Sequence, residues 1–111
     1  MKTKEMVVMF RGFATFLDEH PDFKTEGTVS LMADSEAPYF FISYYDKKIF
    51  VEAVKAIGDC TKEYTKGDYS SLHVTAKNFP IKLSIPRDRV CRKVVTFDCE
   101  PLFSTDEVEA L

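Results

Sequence analysis

One stretch of helical period, flanked on both sides by strand-like alternation, is what most narrows the folds open to this chain. Asp46 suits an N-cap, because its carboxylate can accept from the first free amides of a helix. After it, Ile49, Ala53, Ile57, Cys60 and Tyr64 recur every three or four residues, the spacing of one helical face. Phe50 and Val54 widen that stripe toward the roughly 100° of a core-facing helix. The spacing predicts a helix that starts after Asp46 and stops at Gly67, with Gly58 inside it marking a close approach to a sheet.

The segments on either side read as strands. Residues 6–17, rich in Val, Met and Phe, predict a first strand with Gly12 as a bulge or close approach. Asp18-Glu19-His20-Pro21-Asp22 predicts a polar loop, and residues 28–33 alternate, with Val29, Leu31 and Ala33 on one side. Residues 39–45 are aromatic on both faces, which suits a strand covered on both sides or one whose outer face binds something. Beyond the helix, Leu72, Val74 and Ala76, then Ile81, Leu83 and Ile85, alternate with polar residues as two half-buried strands joined across Asn78-Phe79-Pro80. Pro86-Arg87-Asp88 predicts a tight turn, residues 90–99 a last long strand, and residues 102–111 an acidic tail or short helix. The expected order is β-β-β-α-β-β-β in one α+β domain over residues 1–111, an antiparallel β-sheet with one helix packed across it.

A chain of 111 residues can bury about two-thirds of its surface, enough for a core without staples. Its 45% hydrophobic and 30% charged residues exclude a disordered chain. No run approaches the ~18 apolar residues of a membrane span. Met6 to Phe10 is also shorter than the apolar region of a signal peptide, so a cytoplasmic protein without membrane contact is expected. Cys60, Cys91 and Cys99 are odd in number and lack CxxC spacing, which argues against a disulfide framework and a zinc site. On one extended strand, Cys91 and Cys99 would stand far beyond bridging distance.

The net charge of −3 conceals separated blocks. Residues 65–93 hold seven cations against two anions, and residues 94–111 hold five anions and no cation. The cations cluster around one expected hairpin, where Lys82, Arg87, Arg89, Arg92 and Lys93 are joined by the rings of Phe79, Tyr39, Phe41 and Tyr45 as candidate partner-binding residues. Patches of both signs with Arg and Tyr among them suit a protein interface. Cations beside exposed rings also suit single-stranded nucleic acid, where charge tracks the backbone and rings stack on bases. A chain with no Gln and only Asn78 is poorly equipped for reading adenine edges, so a sequence-specific DNA reader is not expected. The bland alternative is that Lys and Arg protect strand edges from aggregation.

Catalytic patterns are thin. The Asp18, Glu19, His20 and Asp22 cluster could hold a cation or move protons, but no second donor segment of HxxxH or HExxH type accompanies it. His73 has no partner by spacing, no two of the four glycines lie close enough for a phosphate loop, and no GxSxG occurs. The expectation is a small non-enzymatic protein-binding module, a regulator or inhibitor that occupies a partner's surface. In this the chain resembles small accessory proteins of viruses and mobile elements. The alternative is a single-stranded nucleic-acid binder. No cofactor or metal is expected, and a homodimer through sheet extension stays open.

Overall fold

The structure is a computed structural model that describes residues 1–34, 36–65, 71–93, 99–101 and 105–111. Its first element corrects the sequence reading: residues 6–17 lie inside helix α1 (Thr3–Glu19), not a strand. The Val- and Phe-rich composition favours strands locally, but Met9, Phe13 and Phe16 fall three or four apart and pack one helical face onto the core. Gly12 is no bulge; a Cβ there would meet nothing within 4 Å. His20 caps the C-terminus, its N–H donating to Phe16 O at 3.0 Å.

Strands β1 (Val29–Met32) and β2 (Tyr39–Ser43) form an antiparallel hairpin, with Leu31 opposite Phe40 and Ser30 opposite Phe41. Helix α2 (Lys47–Ile57) starts where expected, Asp46 Oδ1 accepting from the amides of Lys48 at 2.8 Å and Ile49 at 3.1 Å. It ends ten residues before Gly67, because Gly58 adopts φ +73° and turns the chain out of the helix. Cys60 and Tyr64 belong to strand β3 (Cys60–Tyr64). Residues 60 and 64 share a face under either period, so the spacing alone could not separate helix from strand here.

Strands β4 (Ser71–Ala76) and β5 (Ile81–Pro86) bury Leu72, Val74, Ala76, Ile81, Leu83 and Ile85, as the alternation predicts. The sheet order is β1-β2-β5-β4-β3. The expected all-antiparallel sheet is corrected to a mixed one, since β2 and β5 pair in parallel, Phe40 opposite Ile81 and Ile42 opposite Leu83. Helix α2 carries the chain from β2 to the far edge, and β3, β4 and β5 return as an antiparallel meander that brings β5 beside β2.

The expected turn after Pro86 is the single helical turn α3 (Arg87–Val90). The expected long strand over 90–99 is instead two short antiparallel strands, β6 (Cys91–Lys93) and β7 (Cys99–Pro101). Cys91 and Cys99 therefore stand on facing strands and not along one, although their side chains lie outside the described residues. The tail contains helix α4 (Thr105–Ala110).

Phe16, Phe40, Ile42, Tyr44, Phe50, Val54, Leu72, Val74, Leu83, Ile85 and Val90 form one buried cluster between the sheet and its helices. Tyr44 is wholly inside it yet satisfied, its hydroxyl donating to Lys24 O at 2.7 Å. Burial first, and the Glu26 carboxylate second, push this phenol well above its ordinary pKa.

Candidate functional site

Strand pleating sends the side chains between the buried ones to the opposite face of the sheet. On β2 these are Tyr39, Phe41 and Ser43, on β5 Lys82 and Ser84, on β4 His73 and Thr75, and on β3 Thr61 and Glu63. Register aligns Phe41, Lys82, Thr75 and Thr61 in one row and Ser43, Ser84, His73 and Glu63 in the next. Tyr39, Phe41, Lys82 and His73 are half-buried, Thr61, Glu63 and Thr75 are exposed, and Ser71 and Ser84 are buried toward one end.

Two contacts organise the centre of this face. The Lys82 ammonium sits 4.4 Å from the centroid of the Tyr39 ring, a cation–π geometry. The Phe41 and His73 rings meet edge to face, 5.9 Å apart at 78°. Burial and the nearby Lys82 charge lower the His73 pKa, with Glu63 opposing them, so the imidazole is neutral at pH 7. The result is a central aromatic pair with one cation and one neutral imidazole, surrounded by hydroxyls.

Of the residues expected from sequence, Tyr39, Phe41 and Lys82 come together here. Phe79 does not; it lies on the core side, its ring 4.8 Å from Phe16. Tyr45 is exposed beyond the other end of β2, its amide held by Glu26 Oε1 at 2.9 Å. Arg89 is exposed on α3, and the side chains of Arg87, Arg92 and Lys93 lie outside the described residues. Sequence spacing gives His73 no partner, because its neighbour Phe41 stands two strands away in the sheet.

Asp18 and Glu19 of the expected acidic loop end α1, and Glu19 with the segment after it lines a different feature, a groove of about 600 Å³ between Glu19–Lys24 and the Glu52, Lys55 and Ala56 side of α2. His20 is committed to the fold there. Its Nδ1 is 2.9 Å from Phe16 O, and its ring stacks on Phe16 at 4.3 Å. Among the described residues, no three His, Cys, Asp or Glu side chains are grouped to hold a metal ion. No described helix is long and apolar enough to cross a membrane. In comparison with known proteins, the chain matches no family model, no curated protein and no solved structure.

Proposed function

We propose that this chain is a non-enzymatic protein-binding module that acts by occupying a partner's surface, as a regulator or inhibitor. The observation that carries the reading is the Tyr39–Lys82 and Phe41–His73 centre on the sheet face opposite the main core. Rings and a cation ringed by small hydroxyl side chains match an interface whose aromatic centre is desolvated behind a polar rim. The strands beneath hold these groups in place, so docking would order little that is not already ordered.

Single-stranded nucleic acid is the second reading, since rings two residues apart on an interior strand beside a lysine are also a base-stacking arrangement. It is less well supported. Lys82 already lies over the Tyr39 ring, His73 packs on Phe41, and the anionic Glu63 shares the face.

A photoreactive phenylalanine at position 39, used in extracts of the source cells, tests the proposal. The expected result is one protein adduct at stoichiometric yield, with the purified partner binding the Phe41→Ala chain at least about 30-fold more weakly, as for an interface hot spot. Absence of a protein adduct, together with an oligo-dT affinity that falls steeply with salt and with Lys82→Ala, would replace it by the nucleic-acid reading.

A further inference from the structure

The two edges of the sheet are finished differently. Edge strand β3 carries Lys62 and Glu63, and Lys62 Nζ donates to Glu109 O of α4 at 2.8 Å. Charge and a covering helix are common defences against edge pairing. Edge strand β1 is Val29-Ser30-Leu31-Met32, without a charge, and Val29 and Met32 are 41% and 42% exposed. The amide of Ser43 donates to Thr28 O, so by strand alternation Thr28, Ser30 and Met32 turn their backbone groups to β2. Val29 and Leu31 then direct theirs outward.

A second uncovered surface adjoins this edge. On α1, Phe13 and Phe16 face the core, while Met6, Phe10 and Leu17 continue the apolar stripe round the helix and stay exposed, Phe10 at 50%. The Phe10 ring meets Phe40 edge-on at 5.4 Å, and Phe40 lies directly opposite Leu31 of β1. An apolar groove of about 900 Å³ runs along the first turns of α1, past Val7, Val8 and Arg11 to Pro38 at the mouth of the β1–β2 hairpin.

We propose that a second copy of this chain covers both surfaces, in a symmetric dimer that joins β1 to β1 and α1 to α1. A twofold axis perpendicular to the sheet at Ser30 sets Val29 opposite Leu31 of the second copy, and each such pair exchanges its two outward backbone hydrogen bonds. The same axis keeps the helices of both copies on one side, where the α1 stripes run antiparallel. A 17-residue helix is about 25 Å long, and with the strand edge the footprint is roughly 400–500 Å² per copy. The total lies near the ~1,000 Å² threshold of specific interfaces, so the dimer is reversible.

Sedimentation equilibrium from about 1 to 200 μM tests it at concentrations usual for reversible dimers. The mass should rise from 12.7 kDa toward twice that value. Val29→Lys should weaken association at least tenfold, and Thr61→Lys on the β3 edge should leave it unchanged. Ser30→Cys should give an oxidised cross-linked dimer absent from the wild-type chain, while circular dichroism confirms that each variant is folded. A folded chain that stays monomeric throughout overturns the proposal, whether or not it binds vesicles of anionic lipid. So does a dimer indifferent to Val29→Lys. Tyr39 and Phe41 stand on β2, one strand in from the β1 edge that the second copy would pair with, so partner capture and dimerisation can fail separately.

Discussion

Helices α1 and α2 both lie against the core cluster, but they use their apolar residues differently. α2 buries Phe50, Ala53, Val54 and Ile57 on one face, and none of its large apolar residues is exposed. α1 is longer and fully buries only Phe16, leaving Met6, Val7, Val8, Phe10 and Leu17 in solvent. The fold accounts for the hydrophobicity of α2. In α1 there is more of it than the fold consumes, and contiguous excess of this kind is a mark of an interaction surface.

Substitutions should separate the two helices on a graded scale. Phe50→Ala empties a site closed on all sides and should cost about 3–5 kcal/mol in a denaturant melt. A loss under about 1 kcal/mol would mean that α2 is held no more firmly than α1. The same small change should then have opposite signs at two glycines. Gly58→Ala forces a β-carbon onto φ +73° at the end of α2 and should destabilise by about 1–3 kcal/mol. Gly12→Ala lies in open space inside α1 and should stabilise by about 0.4–1 kcal/mol, read as a rise in Tm. Smallest of all, Val8→Ser at a 69% exposed position should move monomer stability by less than about 0.5 kcal/mol.

The sheet face makes a pH prediction of its own. The folded His73 pKa lies below the unfolded value near 6.5, so the folded state takes up its proton later as pH falls. Stability from neutral His73 is therefore complete above about pH 6.5 and is lost as pH drops through and below it. Urea melts between pH 7.5 and 5 should show this loss, and it should shrink in His73→Gln; an unchanged profile would deny that burial and Lys82 act on the imidazole.

The legible parts of the fold were those with one reading. Leu72, Val74 and Ala76, like Ile81, Leu83 and Ile85, fit only the two-residue period, and the structure buries them all. Asp46 was legible because capping needs just one carboxylate and the next few amides. Ambiguity entered where two periods share residues, as at Cys60 and Tyr64, and where strand-favouring side chains were spaced for a helix, as at Met9, Phe13 and Phe16. Within the candidate site, the value of Tyr39, Phe41 and Lys82 was visible as residue types, but their company was not. Phe79 looked equivalent to them and instead packs on Phe16, because it precedes β5 on the side where α1 crosses.

Local pattern alone therefore determined an α+β class, the start of α2, strands β4 and β5 and the separation of charge along the chain. Each depends on residues a few positions apart, where backbone geometry dictates which side chains share a face. The tertiary structure decided the parallel pairing of β2 with β5, the meeting of Phe41 with His73 and the contrast between the β1 and β3 edges. Those are contacts between segments distant in sequence. They are selected by which apolar faces can be buried together, and no short window of sequence carries that information.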